Sequence, residues 1–190
     1  MFPVAGASRI DVVTSRKKTV WSSKWFSIEE IEVGANQDSG GELYYGIKAP
    51  NSVGILPITP SGQFVFVKQF RPVLGRETIE LPAGMIDHLE TPPSAAQREL
   101  KEETGMTSRR FLELGSGTLM ASRFSNCLTW YLALDAIKES TVMAPELEPV
   151  LMAPEEIVSC ERDLGADQLL ALGVIALAKA KFPLVVPAVW

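Results

Sequence analysis

Residues 84–106 read GMIDHLETPPSAAQRELKEETGM, and this stretch decides the fold. Its second half carries the signals that begin and end a helix. Thr91 is a suitable N-cap, Pro92 fits the first helical position, and Gly105 fits a left-handed C-terminal cap. We therefore predict a helix over residues 92–104.

This predicted helix carries a row of acidic residues. At about 100° per residue, Glu99, Glu102 and Glu103 share one arc beside the small apolar stripe of Ala96 and Leu100. Like charges one turn apart destabilise a helix by roughly 0.2–0.5 kcal/mol per pair. A shared divalent cation would remove that repulsion, and hard oxygen ligands suit Mg²⁺ or Mn²⁺. Taken without its flanks, the same helix is also compatible with a solvated acidic face.

Short strands are predicted on both sides of this helix. Turn signals and apolar runs place strands within 19–33, 41–58, 64–70, 78–81, 111–114 and 128–134, an acidic loop at 144–149 and a second helix at 169–181. Residues 82–84 are expected to end the strand before them. Strands interrupted by helices predict an α/β (α+β) layered fold with a mixed sheet.

The chain is expected to have two parts. Residues 1–50 form an N-terminal β-strand unit, and residues 51–190 form the main domain. The first part contains Trp21, Trp25 and Phe26, which are hard to bury within one small domain. We therefore expect this unit to mediate a homodimer.

Composition excludes several classes of protein. The formal net charge is −5, which gives no cationic surface for nucleic acid or an anionic membrane. Lysines and prolines interrupt the apolar C-terminal run, which favours a packed helix over a membrane span. Cys127 and Cys160 do not make a disulfide framework, and no signal peptide is apparent. A cytoplasmic protein is expected.

The opening stretch resembles the Nudix box, G-x5-E-x7-R-E-U-x-E-E-x-G-U, where U is a bulky apolar residue. Every defined position is occupied: Gly84, Glu90, Arg98, Glu99, Leu100, Glu102, Glu103, Gly105 and Met106. The chain is thus identified as similar to the Nudix hydrolases. That resemblance implies a mixed sheet sandwiched between helices, with the box as a loop–helix–loop, and a Mg²⁺-dependent hydrolase in which Mn²⁺ can substitute.

The resemblance also implies roles for single residues. The metal ligands would be Glu99, Glu102, Glu103 and the carbonyl of Ala83, with Glu102 and Glu103 also counted as catalytic. Glu90 and Arg98 would support them, while His88 falls at an unspecified loop position.

Sequence outside the box resembles the ADP-ribose and nucleotide-sugar pyrophosphatase branch. The matching stretches include VKQFRP at 67–72 and ELPAGMID at 80–87. In that branch an arginine matched by Arg71 approaches the substrate diphosphate, as suits a planar guanidinium. Aromatic rings bind the base, which makes Trp25 and Tyr45 candidates, with Trp21 and Tyr44 beside them. The branch implies hydrolysis of a nucleoside diphosphate sugar, with ADP-ribose giving AMP and ribose 5-phosphate as the first expectation.

One stretch departs from that branch. Enzymes specific for ADP-ribose usually carry Pro-Gly where this chain has Ser122-Arg123. UDP- or GDP-sugars therefore stay open as substrates, as does a non-catalytic Nudix regulator that only binds nucleotide.

The general base is expected outside the helix, because metal ligation occupies its glutamates. The resembling enzymes take this base from a loop before the last strand and helix. Glu146 matches that position, and Glu148 is the alternative two residues along.

Overall fold

A computed structural model describes residues 16–34, 41–139, 141–142, 144–159 and 166–187. The chain divides into two compact units. One contains Met1–Pro50 and Thr118–Asn126, and the other contains Asn51–Gly117 and Cys127–Trp190. The short segment at 118–126 thus groups with the N-terminal strands, whereas the sequence-based division placed it in the main domain.

The elements follow one another along the chain in a β-rich order. They are β1 (Arg16–Ser22), β2 (Ser27–Val33), β3 (Glu42–Lys48), β4 (Ser52–Ile58), β5 (Phe64–Arg71), β6 (Arg76–Glu80), β7 (Ala83–Met85), α1 (Pro92–Thr104), β8 (Met106–Thr107), β9 (Arg110–Gly117), β10 (Leu128–Leu134), β11 (Ile137–Lys138), β12 (Glu148–Met152), α2 (Pro154–Ser159) and α3 (Ala166–Lys181).

The first unit is built on a three-stranded antiparallel sheet in the order β1-β2-β3. A tight turn joins its first two strands, in which the Ser23 hydroxyl accepts the backbone N–H groups of Trp25 and Phe26, each at 3.1 Å. Every residue of β1 is exposed. This small sheet therefore leaves much of its side-chain surface uncovered.

The second unit is built on a larger sheet in the order β12-β5-β4-β10-β9, with β6 paired to β5 and β7 paired to β4. Strands β4 and β10 run parallel, and the other pairs are antiparallel. The predicted mixed sheet is confirmed. The paired β4 and β7 strands lead directly into the loop and helix of the box.

Successive residues of a strand point to opposite faces of this sheet, and each face packs in its own hydrophobic core. Val53 and Ile55 of β4 pack in a cluster with Leu100 of α1, while Leu56 packs in a second cluster with Ile175 of α3. All five residues are at most 1% exposed. The sheet is thus sandwiched between α1 and α3, as expected from the resemblance.

Helix α1 has the predicted limits and caps. The Thr91 side chain accepts the Ser94 N–H in a capping box, and Gly105 closes the helix at φ 69°. The left-handed conformation at that position favours glycine because glycine has no Cβ.

Other parts differ from the sequence-based predictions. Residues 82–84 are expected only to end a strand, but Ala83–Met85 form β7 because they pair with β4. The end of the predicted acidic loop belongs to β12, where Glu148 pairs with Lys68. Helix α2 was not predicted, and it is too short to show a clear helical period. Cys160 lies outside the described residues. Across the described ranges, no helix has the length and apolar character needed to cross a membrane.

Candidate active site

The Arg98 guanidinium organises the acidic residues of the box. It binds Glu90 through two bonds, Nε to Oε1 at 3.0 Å and Nη2 to Oε2 at 2.9 Å. It also donates to Glu99 at 2.7 Å, to Glu102 at 3.3 Å and to the Met85 carbonyl at 2.9 Å. Hydrogen bonds from Arg98 hold the pKa of Glu90 below its usual value. One side chain therefore ties the incoming loop to the acidic face of α1.

The loop before α1 is closed by two hydrogen bonds between Asp87 and Glu90. Glu90 and Asp87 exchange bonds, because the Asp87 N–H donates to Glu90 Oε2 at 3.1 Å and the Glu90 N–H donates to the Asp87 carbonyl at 3.0 Å. His88 and Leu89 lie in the exposed turn between them. His88 is therefore a loop residue, as expected.

Glu103 is the acid with the most strongly changed proton affinity. Burial raises its pKa to about 7, and the negative charges of Glu99 and Glu80 add to that rise. The Ala83 N–H, which donates to Glu103 Oε2 at 3.0 Å, and the positive charge of Arg71 act in the opposite direction. Burial therefore favours the protonated form of Glu103 up to near neutrality.

Glu99 lies close against the start of the box. Its side chain is buried, and this burial raises its pKa despite the bond from Arg98. A Cβ atom added to Gly84 would overlap the Glu99 carboxylate. Glycine at the first position of the box thus lets the Glu99 carboxylate occupy the space that a side chain would take.

Arg71 forms an ion pair on the neighbouring hairpin. Its Nε donates to Glu80 Oε1 at 2.7 Å, and a second nitrogen binds the other carboxylate oxygen. Burial would raise the pKa of Glu80, but bonds from Arg71 and Thr78 lower it on balance. Since both charges act on Glu103, this pair lies beside the acidic face of α1.

The sequence analysis names Glu80 only as the first residue of the stretch ELPAGMID and predicts no partner for it. A usable signal was the strand alternation, which places residues 71, 78 and 80 on one face of the β5–β6 hairpin.

The oxygen donors of α1 fit a divalent cation. A cation would relieve both the burial of Glu99 and Glu103 and the mutual repulsion of these acids. Among the described residues, no three acidic, histidine or cysteine side chains already converge as a metal cage. Glu99 and Glu102 accept hydrogen bonds from Arg98, and Glu103 accepts one from the Ala83 N–H.

The aromatic candidates belong to the first unit. Trp25 is 54% exposed and Tyr45 is 50% exposed. The Lys24 ammonium lies 4.5 Å from the Trp25 ring centroid, and the Tyr45 hydroxyl donates to Glu30 at 2.9 Å. Within that unit, both rings keep a large free surface.

The two candidate bases differ in their surroundings. Glu146 is exposed in a turn, and its side chain has no hydrogen bond or ion pair with any residue that the structure describes. Glu148 begins β12 and lies 4.0 Å from the Lys68 ammonium. Glu146 is thus the freer carboxylate.

Comparison with known proteins agrees with this arrangement. The NUDIX domain model matches residues 48–172. The ADP-ribose pyrophosphatase of Bacillus subtilis (strain 168) is 35% identical over 103 residues, which cover 53% of this chain and 54% of that protein. The ADP-sugar pyrophosphatase of Mus musculus is 37% identical over 86 residues, covering 43% of this chain and 39% of that protein.

A solved structure, described as the crystal structure of an ADP compounds hydrolase, has the same fold. It aligns with a TM-score of 0.73 over 89% of this chain and 95% of its own, at 23% identity. The chain spans about half the length, or less, of the curated relatives it matches. The family match extends over most of the chain and contains the whole box, so the chain belongs to the NUDIX family.

Proposed function

We propose that this protein uses Mg²⁺ to hydrolyse the diphosphate of a nucleoside diphosphate sugar. ADP-ribose, split to AMP and ribose 5-phosphate, is the first substrate to test. The observation that carries the proposal is the acidic face of α1, where Glu99, Glu102 and Glu103 lie together beside the Arg71–Glu80 pair. Relatives named as ADP-ribose and ADP-sugar pyrophosphatases support the substrate class.

The three glutamates of α1 would hold the metal together with the Ala83 carbonyl. A bound divalent cation supplies charge neutralisation at the phosphate oxygens and at the leaving group. Mn²⁺ has the same preference for oxygen ligands and is the natural substitute. Arg98 keeps Glu99 and Glu102 on one side of the helix, so it orients these ligands without binding substrate.

Arg71 would grip the diphosphate. Its planar guanidinium already makes a two-bond contact with a carboxylate, the same geometry that a phosphate offers. Glu80 holds the guanidinium in a fixed orientation until an anionic substrate competes for it.

Glu146 would take the proton from the attacking water. Its position in an exposed turn, without a side-chain partner among the described residues, leaves the carboxylate available. Closure of this loop over substrate would also exclude bulk water. Trp25 and Tyr45 would bind the base, and the exposed aromatic residues of the first unit would join two copies of the chain.

The reaction is tested by hydrolysis of ADP-ribose in ¹⁸O-labelled water. Attack on phosphorus places the label in a phosphate group of one product, which mass spectrometry detects. Label found only on the sugar carbon would overturn this mechanism.

Removal of divalent metal with EDTA should abolish turnover, and a Glu103→Gln variant should strongly reduce it. A panel that includes UDP- and GDP-sugars decides the wider substrate range. Tight binding of these compounds with no product in any reaction would identify a non-catalytic regulator instead.

A further inference from the structure

A buried threonine lies behind the ion pair of Arg71 and Glu80. Thr78 is the middle residue of β6, and it is 1% exposed. Its hydroxyl oxygen lies 2.5 Å from Glu80 Oε1 and 3.3 Å from the Gln69 carbonyl of the neighbouring strand. A hydroxyl has one proton to donate, and a charged carboxylate is a stronger acceptor than a neutral carbonyl. The Thr78 hydroxyl therefore donates to Glu80.

The three side chains form a path from the core to the surface. Thr78 is buried, the Glu80 side chain is 16% exposed, and the Arg71 side chain is 46% exposed. The register of the hairpin places all three on one face of β5 and β6. Thr78 is thus linked through one carboxylate to a guanidinium that an anion in solution can reach.

Packing alone does not explain a threonine at this position. Valine has nearly the same shape, forms strands as readily, and carries no polar group that must leave water. A buried hydroxyl stabilises most where its partner would otherwise lack a donor. Among the described residues, the Glu80 carboxylate accepts hydrogen bonds from the side chains of Arg71 and Thr78 only. If Arg71 turns to another anion, Thr78 is the donor that remains.

We infer that Thr78 is a positioning residue for substrate binding, because its hydroxyl keeps the Glu80 carboxylate hydrogen-bonded while Arg71 moves from Glu80 to the substrate diphosphate. Glu80 is mostly buried, so water replaces the two departing bonds only in part. Without the hydroxyl, the carboxylate would keep no donor from the described side chains, and the transfer of Arg71 would cost more. The inference rests on the proposed hydrolysis of a diphosphate and adds a residue to its Arg71 site.

Two substitutions separate the hydroxyl from the rest of the side chain. Thr78→Val removes the hydroxyl and keeps the branched shape, whereas Thr78→Ser keeps the hydroxyl. With ADP-ribose and Mg²⁺, Thr78→Val should raise KM about tenfold, the order expected for one hydrogen bond to a charged group. Its kcat should stay within about twofold of wild type, because Arg71 holds the diphosphate before and during the reaction. Thr78→Ser should keep both constants close to wild type.

Thr129→Val is the matched control. Thr129 is also a buried strand threonine, at 8% exposed, but its hydroxyl bonds the neutral Ser116 hydroxyl at 3.0 Å. Its KM should stay near the wild-type value. Circular dichroism and thermal unfolding check that all three variants keep the fold. An unchanged KM in Thr78→Val, or an equal rise in Thr78→Ser or Thr129→Val, would overturn the inference.

A double-mutant cycle shows whether Thr78 acts through Arg71. Arg71→Ala should raise KM by itself, because the diphosphate loses the guanidinium. In that background Thr78→Val should add less than about twofold, since the group that it positions is absent. A further rise of about tenfold would show that Thr78 acts independently of Arg71, and the inference would be wrong.

Two readouts need no turnover. Calorimetry with inorganic diphosphate and Mg²⁺ reports the diphosphate contact alone, and Thr78→Val should raise its Kd about tenfold while Thr78→Ser should not. Burial raises the pKa of Glu80, whereas bonds from Arg71 and Thr78 lower it. A ¹³C carboxyl titration, assigned with Glu80→Gln, should therefore show a higher pKa for Glu80 in Thr78→Val. An unchanged pKa would show that the hydroxyl does not donate to this carboxylate.

The positioning role and the proposed function fail in different ways. If diphosphate binding depends on Thr78 through Arg71 but no nucleotide sugar is hydrolysed, the positioning role stands and the proposed function fails. If ADP-ribose is hydrolysed and Thr78→Val keeps the wild-type KM, the proposed function stands and the positioning role fails. A wild-type protein that does not bind inorganic diphosphate would also contradict the positioning role.

Discussion

The acidic face of α1 and the strands of the first unit differ in what their side chains contact. The acids of α1 are hydrogen-bonded within the protein, whereas the aromatic rings of the first unit are half exposed. On α1, Glu99, Glu102 and Glu103 each accept a hydrogen bond at 3.3 Å or less. In the first unit, Trp21 of β1 and Trp25 of the turn after it are 49% and 54% exposed. A connected polar network fixes atoms for chemistry. A set of half-exposed aromatic rings instead keeps surface free for another molecule.

The largest expected effect comes from breaking the network at Glu103. Glu103→Gln should reduce kcat with ADP-ribose by about 10³-fold or more, because a lost metal ligand removes several kcal/mol of transition-state stabilisation. The Mg²⁺ dependence of kcat measures the loss, and circular dichroism checks that the fold is kept. Glu139→Gln, on an exposed acid paired with Lys101, is the control and should retain turnover. Near-normal activity of Glu103→Gln at ordinary Mg²⁺ would show that this side chain is not a ligand.

A comparable loss of kcat is expected from a change at Glu146, which lies outside the hydrogen-bonded acids of α1. Glu146→Gln should lower kcat by about 10²–10⁴-fold, the usual range for a positioned general base, with little change in Mg²⁺ affinity. Glu148→Gln is the matched variant and should retain activity. If the loss appears in Glu148→Gln alone, the base lies two residues along. If neither variant loses more than a few-fold, Glu102 is the next candidate.

The network should also give the metal-free protein a distinctive dependence on pH. The pKa of Glu103 is about 7 in the folded state and near 4.5 ordinarily. Between these values the folded state keeps a proton that the unfolded state releases. The free energy of unfolding therefore falls as pH rises from about 4.5 to 7, by up to about 3 kcal/mol.

Thermal unfolding in EDTA at several pH values measures this slope. Glu103→Gln has no proton to release there and should flatten the slope. Added Mg²⁺ should raise Tm most at the upper end of the window, where the carboxylate is charged. A wild-type Tm that rises steadily across this window in EDTA would contradict the assignment.

The smallest effect on the free energy of unfolding is expected from the exposed aromatic residues of the first unit. Trp21→Ser with Trp25→Ser should change the free energy of unfolding of a monomer by less than about 1 kcal/mol, because both side chains are half exposed. The same pair should shift a homodimer toward the 20.7 kDa monomer. Light scattering across micromolar concentrations measures this mass. Val73→Ser, 98% exposed in the second unit, is the control, and a wild-type protein that is monomeric throughout would reject the dimer.

The sequence predicts the box region well because its signals are local. Thr91, Pro92 and Gly105 act through neighbouring backbone groups, so their positions set the limits of α1. The spacing of the glutamates likewise places them on one helical arc before any tertiary contact is known. Helix α2, at six residues, is too short to show a helical period, and so it was missed.

Contacts between residues far apart in the chain could not be predicted from the sequence. The pair of Arg71 and Glu80 depends on the register of a hairpin, and β7 depends on pairing with β4. The grouping of residues 118–126 with the N-terminal strands depends on a parallel bridge between Phe124 and Ile47. Such register has no signature within a short window of sequence, because it is set by side chains far along the chain.

The contact between Gly84 and the Glu99 carboxylate has a consequence for how this family can drift in evolution. An alanine at position 84 would meet the far end of a flexible side chain. The carboxylate can move aside at small cost to folding, but it would then leave the place where a cation needs it. Selection at this glycine should therefore act through turnover and not through protein abundance. The two positions are epistatic, and a shortened acid at 99 would make a side chain at 84 tolerable without restoring the rate.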